Sequence, residues 1–312
     1  MALGLVFPGQ GAQAVGMGRD LATTYPAARE VFEEIDEALG ERLSDTIWSG
    51  DAETLTLTAN AQPALMATSM AALKALEAEG FDPGRVSLMA GHSLGEYSAL
   101  AAAGALSLGD AARLLRLRGR AMQDAVPVGE GAMAALLGLS FSQAAAVAEE
   151  ASQGEVCQAA NDNDPSQVVI SGHRAAVERA VELAKEAGAK RAMMLPVSAP
   201  FHCELMQPAA ERMADALSEV RIQKPATPVV ANVTAEAVME PKDIRRLLIS
   251  QVTGVVRWRE SVLWMAKAGI GEIWEVGAGK ALSGMIRRID KSIATRAIGS
   301  PADVRTALEQ GE

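Results

Sequence analysis

Short apolar runs and longer segments of helical periodicity alternate along this chain. Leu3–Phe7 and Val86–Ala90 are mostly apolar runs of strand length and predict two buried strands. Between them, apolar residues recur at helical spacing from Tyr25 to Leu39 and from Asn60 to Glu79, where a glycine follows as at many helix ends. Strands that alternate with helices predict an α/β fold. The same pattern predicts further helices at 107–125, 205–220, 241–251 and 257–268 and strands at 229–233 and 273–276.

The segment from residue 131 to residue 195 has shorter elements in a different order. A strand-helix-strand-strand-helix-strand order of this length is typical of the ferredoxin-like split unit. We therefore expect an inserted ferredoxin-like subdomain at 129–196, within a large domain formed by 1–128 and 197–312. The run Asn161-Asp162-Asn163-Asp164-Pro165 is rich in turn-forming residues and predicts the central turn of this subdomain. The predicted strands are 132–139, 156–160, 167–171 and 191–195, and the predicted helices are 142–152 and 175–187.

The second predicted strand ends in Gly91-His92-Ser93-Leu94-Gly95, and an alanine-rich helix follows it. A serine between two glycines at a strand-to-helix turn is the pattern of a nucleophile elbow, which projects the serine hydroxyl out of the sheet. The backbone N–H of Leu94 would then point at an oxyanion that forms beside Ser93. Pro8-Gly9-Gln10-Gly11 follows the first predicted strand. A Pro/Gly loop at that place is either a wall of an active site or a plain turn.

One arginine lies on the apolar face of the helix predicted at 107–125. Arg118 is in the middle of that face, whereas Arg113, Arg116 and Arg120 fall together on the opposite face and are predicted to be solvated. A guanidinium on a core face must have an anionic partner. Arg118 should therefore bind either a protein carboxylate or an anionic ligand, and the pattern alone leaves both open.

A serine nucleophile requires a base within hydrogen-bond reach, and the chain has 3 histidines. His92 is part of the elbow motif, and His173 follows a predicted strand, where a surface or capping role is the simplest. His202 lies in a proline-containing loop and is the remaining candidate for the base, although a lone histidine is more often structural. A histidine base predicts activity that depends on a group titrating near neutral pH.

Composition and charge narrow the functional classes. The 312 residues are 49% hydrophobic and 22% charged, and the net charge of −10 disfavours nucleic acid as a partner. The amino terminus lacks a cationic leader, and no run approaches the ~20 apolar residues that span a bilayer. We therefore expect a cytoplasmic protein with no membrane partner. Cys157 and Cys203 have no metal-ligand spacing, and Cys203 is expected to be a small apolar filler. Gly277-Ala278-Gly279-Lys280 lacks the spacing of a phosphate-binding loop and predicts a structural turn.

Taken in order, these motifs resemble the malonyl-CoA:acyl carrier protein transacylases of fatty acid synthesis and the acyltransferase domains of polyketide synthases. The resemblance covers essentially the whole chain. It implies an α/β-hydrolase-like large domain with a ferredoxin-like small domain, in agreement with the pattern of elements. The residues that carry the resemblance are Phe7–Gly11, Gly91–Glu96, Arg118, Gln167–Gly172, His202, Gln251 and Gly277.

The resemblance implies a role for each matching residue. Ser93 is then the nucleophile, and His202 is the base that takes its proton. The backbone N–H groups of Gln10 and Leu94 form the oxyanion hole. The main-chain carbonyl of Gln251 orients the histidine in place of an aspartate.

The resemblance also implies contacts for the acyl group. Arg118 would bind the malonyl carboxylate in bidentate fashion, which suits its lone place on an apolar face. Asn161 matches a pocket position of the family, although the Asn-Asp-Asn-Asp run allows more than one alignment. Leu94 after the serine and Phe201 before the histidine both match malonyl-type members, so the expected acyl group is malonyl and not methylmalonyl.

The implied reaction moves the malonyl group from malonyl-CoA to the phosphopantetheine thiol of holo acyl carrier protein through a malonyl ester on Ser93. This ping-pong transfer requires no metal or bound cofactor. Because the carrier protein is also acidic by the resemblance, a local cationic patch should guide docking. The candidates are Lys185, Lys190 and Arg191 on the small domain, or Arg287, Arg288 and Lys291 near the carboxyl end.

Two other functional classes stay open at this point. A serine hydrolase shares the elbow, but it should have an acid between serine and histidine and usually a His-Gly-Gly-Gly loop, which this chain lacks. A non-catalytic scaffold would carry a vestigial elbow. Analysis of the product separates the hydrolase, which releases the free acid, from the transferase. Labelling of the serine by an active-serine probe separates the scaffold from both.

Overall fold

Residues 2–309 are the part of the chain that the structure, a computed structural model, describes. The strands are β1 Ala2–Phe7, β2 Val86–Gly91, β3 Gly131–Leu137, β4 Cys157–Asp164, β5 Gln167–His173, β6 Arg191–Met194, β7 Val229–Ala231, β8 Glu236–Val238, β9 Ile270–Val276 and β10 Ala294–Ile298. The α-helices are α1 Arg19–Thr24, α2 Pro26–Leu39, α3 Leu43–Ser49, α4 Ala52–Thr56, α5 Thr58–Ala78, α6 Gly95–Ala102, α7 Leu108–Asp124, α8 Phe141–Ser152, α9 Arg174–Glu186, α10 Gln207–Glu219, α11 Pro241–Gln251, α12 Trp258–Lys267, α13 Ala281–Ile289 and α14 Pro301–Glu309. Short 3₁₀ turns lie at Pro83–Arg85 and Glu204–Met206.

The larger sheet brings two of the sequence motifs to one edge. Its order among the described strands is β10-β9-β1-β2-β7-β8, and neighbours are parallel except β8, which is antiparallel to β7. β1 and β2 are almost entirely buried, as their apolar composition predicts. They lie side by side, with Phe7 opposite Gly91. The Pro/Gly loop after β1 and the elbow after β2 therefore leave the sheet next to each other.

Close contact between α5 and α7 fixes one wall of the site. Pro63 in α5 has no N–H, so the carbonyl of Ala59 four residues earlier lacks its helix partner. Arg116 on α7 donates to that carbonyl at 2.6 Å and pairs with Glu41. A Cβ at Gly119 would come within 2.6 Å of Ala59, so glycine allows the two helices to touch. The prediction of a solvated Arg116 is wrong, because this side chain is 7% exposed and satisfies the carbonyl that the proline leaves free.

The smaller sheet is built from residues 131–194. Its described strands have the order β4-β5-β3-β6, and all neighbours are antiparallel. Ala134 and Leu136 on β3 pack with α8 and α9 in a separate apolar core. The alternate residues Met133 and Ala135 join the main core, as the period of a strand requires. The order of elements, β3-α8-β4-β5-α9-β6, matches the order expected from the sequence.

β4 runs further than the sequence predicts. It continues to Asp164, and the turn is made by residues 165 and 166, so the predicted turn over the Asn/Asp run is wrong. Asp162 pairs with Arg259 on α12 at 2.9 Å, and Asp164 pairs with Arg288 on α13 at 2.8 Å. Both carboxylates are buried, and a buried carboxylate without a partner is costly. The two ion pairs explain why the strand conformation overrides the local preference for a turn.

Some elements have too little pattern to be predicted. α3 and α4 are short, and the edge strands β8 and β10 alternate only weakly, so none of the four was expected from the sequence. None of the helices in residues 2–309 is long and apolar enough to cross a membrane.

Candidate active site

Ser93 lies on a strained turn between β2 and α6. Its φ is 52°, a left-handed conformation that few non-glycine residues adopt. Gly91 and Gly95 are needed here, because a Cβ on the first would overlap the backbone of the second and a Cβ on the second would overlap the Phe7 carbonyl. Asn232, directly after β7, supports the turn. Its Oδ1 accepts the Ser93 N–H at 2.8 Å, and its Nδ2 donates to the Gly91 carbonyl at 2.7 Å.

His202 lies beside this serine. Its Nε2 is 2.7 Å from Ser93 Oγ, and its Nδ1 is 2.9 Å from the main-chain oxygen of Gln251. Since a carbonyl can only accept, Nδ1 carries the proton, and Nε2 is left to accept the serine hydroxyl. Burial, reinforced by the positive charge of Arg118, lowers the pKa of His202 to about 3. The imidazole is therefore neutral at ordinary pH, and its burial does not favour His202 of the free protein as the group near neutral pH on which the activity was expected to depend.

Two backbone N–H groups are available beside the serine. Leu94 begins the turn into α6, and Gln10 lies in the loop after β1; both residues line the same cavity as Ser93. Among the described residues, neither N–H donates to a protein acceptor. The side chain of Gln10 points elsewhere, because its Oε1 accepts from the Thr58 hydroxyl at 2.8 Å. These two donors can therefore serve a developing oxyanion.

Arg118 reaches the serine from α7 and is 1% exposed. Its Nη1 donates to Gln62 Oε1 at 2.8 Å, and its Nη2 donates to Gln251 Oε1 at 2.9 Å and to Ser93 Oγ at 3.2 Å. None of these acceptors is a carboxylate. Its Nε has no hydrogen-bond partner in residues 2–309. A buried cation that is held only by neutral groups retains the capacity to bind an anion next to Ser93.

Gln251 connects most of these groups. Its main-chain oxygen orients His202, and its Oε1 accepts from Arg118. Its Nε2 donates to the Ser93 carbonyl at 3.0 Å and to Glu96 Oε2 at 2.8 Å. This side chain at the end of α11 is completely buried. The resemblance assigned importance to the carbonyl of this residue, and the contacts of its amide could not be anticipated.

The reactive groups open into a cavity of about 450 Å³ between the two sheets. Phe201 is 9% exposed and lines it, as do Met122 and Met133. Asn161 also lines it, and its strand forms an isolated bridge with Val256. The wall is therefore mostly apolar around one buried cation.

Asn163 is the second asparagine that an alignment could match to the family's pocket position. It lines the same cavity, and its Oδ1 lies 2.9 Å from His92 Nε2. Burial lowers the pKa of His92. This histidine is thus fixed by Asn163 and does not contact the serine hydroxyl, which faces His202.

The whole chain has close relatives among known proteins. The acyl transferase domain family matches residues 5–292. The malonyl CoA-acyl carrier protein transacylases of Bacillus subtilis and Escherichia coli K12 are each 46% identical to this chain. The two matches cover 98% and 97% of this chain and 96% and 98% of those proteins. This chain belongs to the malonyl-CoA:acyl carrier protein transacylase family.

Solved structures of the transacylase family have the same fold. An acyl-carrier-protein-S-malonyltransferase from Bartonella henselae is 52% identical, with a TM-score of 0.97 over 99% of both chains. A malonyl-transacylase in complex with a type II polyketide synthase acyl-carrier protein is 42% identical, with a TM-score of 0.96 over 99% of this chain and 100% of that one. The α/β architecture described above is therefore the fold of this family.

Sequence reasoning assigned no role to three residues of this transacylase site. Gln62 holds Arg118, Asn232 holds the elbow, and Glu96 accepts from Gln251. Gln62 and Asn232 lie within local patterns that do not distinguish them from other polar residues. Glu96 could have been found from the sequence, since a charged residue in a helix of mostly apolar residues is expected to be buried, which is unusual for an acid.

The remaining candidates have structural surroundings. Cys203 is fully buried and donates to the Pro200 carbonyl at 3.2 Å, and burial raises the pKa of its thiol. His173 stands at the N-cap position of α9, and its Nδ1 accepts the Val156 N–H at 2.9 Å. The loop at Gly277–Lys280 leads from β9 into α13, whose first N–H groups are capped by the buried Glu275. A structural role for each therefore agrees with its contacts.

Proposed function

We propose that this protein transfers the malonyl group from malonyl-CoA to the phosphopantetheine thiol of holo acyl carrier protein, through a malonyl ester on Ser93, in fatty acid biosynthesis. The names of the relatives support this activity. One observation carries the proposal. Ser93 Oγ lies 2.7 Å from a histidine nitrogen and 3.2 Å from a buried arginine whose other acceptors are neutral.

In the first half reaction, His202 Nε2 takes the proton of the Ser93 hydroxyl while Oγ attacks the thioester carbonyl carbon of malonyl-CoA. The carbonyl oxygen becomes an oxyanion and accepts from the N–H groups of Gln10 and Leu94. When the tetrahedral intermediate collapses, the carbon–sulfur bond breaks. The imidazolium then gives its proton to the departing CoA sulfur, and its charge is stabilised by the Gln251 carbonyl on Nδ1.

The second half reaction is the reverse with a new thiol. His202 accepts the proton of the phosphopantetheine thiol, and the thiolate attacks the malonyl ester on Ser93. The same two N–H groups bind the oxyanion. Collapse breaks the bond from the carbonyl carbon to Oγ, and Ser93 recovers its proton from the imidazolium. Each step uses residues of this chain and the two thiol substrates.

Arg118 gives the reaction its acyl preference. The carboxylate of a malonyl ester lies two bonds beyond the ester carbonyl, which places it within reach of a guanidinium that contacts Oγ. A bidentate pair with the guanidinium would hold the acyl group in one pose. A fixed pose in a mostly apolar cavity favours attack by the incoming thiol over attack by water. Phe201 and Asn161 would bound the acyl pocket from the other sides.

We infer two domains in this transferase: a catalytic domain of 1–128 and 197–312, similar to α/β-hydrolases, and a ferredoxin-like subdomain of 129–196. The separate apolar core of the smaller sheet and the order of its strands support this division. The cytoplasmic location expected from the sequence stays a prediction, and cell fractionation tests it.

Intact mass spectrometry tests the proposed function. Mixed with malonyl-CoA and no acceptor, the protein should gain one malonyl group on Ser93, and holo carrier protein should remove it. Ser93→Ala should abolish both events, and full transfer by this variant would refute the proposal. Release of free malonate without an acceptor would favour a hydrolase, and no labelling at all would favour a scaffold.

A further inference from the structure

The mechanism above gives no task to Glu96, a buried acid beside the active site. Glu96 lies in the first turn of α6 and is 3% exposed. Its Oε2 accepts from the main-chain N–H of Asn232 at 2.9 Å and from Gln251 Nε2 at 2.8 Å. Both donors are neutral. An ionised carboxylate in such a place needs a compensating charge nearby.

The compensating charge is that of Arg118, which lies on the other side of the Gln251 amide. The amide oxygen of Gln251 accepts from Arg118 Nη2 at 2.9 Å, while the amide nitrogen donates to Glu96. A side-chain amide has one accepting end and one donating end, so the acid and the arginine together fix its orientation. The chain Glu96–Gln251–Arg118 thus joins two buried groups of opposite charge without direct contact between them.

We propose that Glu96 is the indirect counter-charge of Arg118, and that its ionisation sets how strongly the site prefers an acyl group with a carboxylate. This inference rests on the proposed function. Glu96 is a positioning residue, because it contacts neither the acyl group nor the reacting atoms. It acts through Gln251 and through the charge that it presents to Arg118.

The physical basis is competition for one cation. A malonyl carboxylate at Arg118 adds a second negative charge near Glu96, and the two repel when Glu96 is ionised. Two like unit charges roughly 10 Å apart, at an effective dielectric constant of about 20, repel enough to weaken the binding of the second charge by roughly tenfold. An acetyl group has no charge and is not affected. The preference for malonyl over acetyl should therefore be greatest when Glu96 is protonated.

Few other groups can titrate against Glu96. Arg118 faces it from α7, His202 faces the same serine, and Tyr97 is its neighbour on α6. The packed strands β1, β2 and β7 have no ionisable side chain, and the Lys74 and Glu77 pair of α5 is partly exposed.

Among these groups, Glu96 is the one whose pKa is shifted to a value near neutral pH. Burial raises the pKa of Glu96 to about 7. Burial raises the phenol pKa of Tyr97 and lowers the imidazole pKa of both His202 and His92, so all three move away from neutral pH. We therefore expect the ionisation of Glu96 to be the main change of charge in the site between about pH 6 and pH 8.

The test is the ratio of kcat/KM for malonyl-CoA to kcat/KM for acetyl-CoA, measured from about pH 6 to pH 8 with the same carrier protein. Titration of thiols and of the docking surface cancels in this ratio. The wild-type ratio should fall by roughly tenfold as the pH rises. Glu96→Gln can keep its oxygen in the place of Oε2 and so retain both acceptor contacts. Its ratio should stay flat at the wild-type low-pH value.

The control is Glu275→Gln, which removes a second buried carboxylate. Each oxygen of Glu275 accepts one backbone N–H, from Leu282 or from Ser283, and the glutamine can keep one of these two contacts. This variant should keep the wild-type pH dependence of the ratio. A purely structural role for Glu96 predicts that malonyl and acetyl transfer fall together in Glu96→Gln and that the pH dependence of the ratio persists. Either result would overturn the inference.

Two measurements keep the test decisive if Glu96→Gln folds poorly. A wild-type ratio that is flat between pH 6 and pH 8 overturns the proposal without any variant. In addition, a raised pKa means that the folded state binds the Glu96 proton more tightly than the unfolded chain does. The contribution of this group to stability is therefore complete below the pKa of an unfolded glutamate and is lost as pH rises through about 7. Urea unfolding should show this loss relative to Glu96→Gln, and parallel curves would contradict it. If Ser93 is not malonylated at all, the proposed function fails instead.

Discussion

Replacement of Arg118 by alanine separates recognition of the acyl group from support of the fold. The guanidinium is held by Gln62 and Gln251, both neutral, and has an unpartnered Nε within residues 2–309. If Arg118 had a directly paired protein carboxylate, its loss would cost roughly 3 to 5 kcal/mol of stability. Its nearest acid, Glu96, is separated from it by an amide and can take up a proton when the cation is removed. We therefore expect Arg118→Ala to melt close to wild type at neutral pH.

The loss should appear in malonyl transfer. Removal of one partner from a buried, charge-assisted pair costs roughly 3 to 5 kcal/mol, which corresponds to about two to three and a half powers of ten in kcat/KM. An acetyl group never uses the pair, so acetyl transfer should hold or improve once the unpaired cation is gone. The variant should therefore invert the preference of the enzyme from malonyl to acetyl.

The assay is carrier-protein acylation with each acyl-CoA, followed by mass spectrometry, with melting temperatures measured in parallel. Arg120→Ala is the matched control, because it removes an exposed arginine from the same helix. It should leave both rates within about twofold of wild type. Equal losses of malonyl and acetyl transfer in Arg118→Ala would refute the reasoning, since a residue that treats both groups alike is not binding the carboxylate.

Two further predictions concern the base and the docking surface. His202→Ala should slow acylation of Ser93 by roughly 10²- to 10⁴-fold. Because burial lowers the pKa of His202 to about 3, single-turnover labelling should show the same factor at pH 6 and at pH 8. Loss of the factor at one of these pH values would contradict the assignment of His202 as the base. Arg191 lies two strands from the cavity residue Gln167, and Arg287 lies two residues after the cavity residue Met285 on α13, so both cationic clusters stay candidates for the docking surface. Charge reversal at Lys185, Lys190, Arg191, Arg287 and Lys291, with Arg288 left in place as the partner of the buried Asp164, should raise the KM for carrier protein and reduce its salt dependence while the KM for malonyl-CoA is kept. An unchanged carrier KM would exclude these surfaces.

The sequence predicts the parts of the site that depend on local chain geometry. A serine at a left-handed turn requires glycines at fixed offsets, so Gly91 and Gly95 reveal Ser93 without any knowledge of the fold. The place of Arg118 on its helical wheel likewise reveals its burial. Periodicity also gives most strands and helices, since β1, β2 and α7 bury the faces that their patterns define.

The parts that the sequence could not give depend on contacts between distant segments. Asn232 supports a turn 139 residues earlier in the chain, and no local pattern distinguishes this asparagine from one in an ordinary loop. Asp162 and Asp164 lie in a run that favours a turn, and only their arginine partners on α12 and α13 make a strand the better solution. Arg116 is buried because a proline on another helix leaves a carbonyl free.

Neutral amides and a carbonyl, and not carboxylates, hold the reactive groups of this site. An aspartate in place of the Gln251 carbonyl on His202 would add a negative charge to the site that binds the malonyl carboxylate. Two like unit charges roughly 6 Å apart, at an effective dielectric constant of about 20, repel by about 3 kcal/mol, or about a hundredfold in binding. The carbonyl fixes the imidazole tautomer without that repulsion, and Gln62 and Gln251 fix Arg118 without neutralising it. Glu96 is the acid that this arrangement tolerates, because it lies beyond Gln251 and, with a pKa raised to about 7 by burial, can take up a proton when the substrate brings a second negative charge.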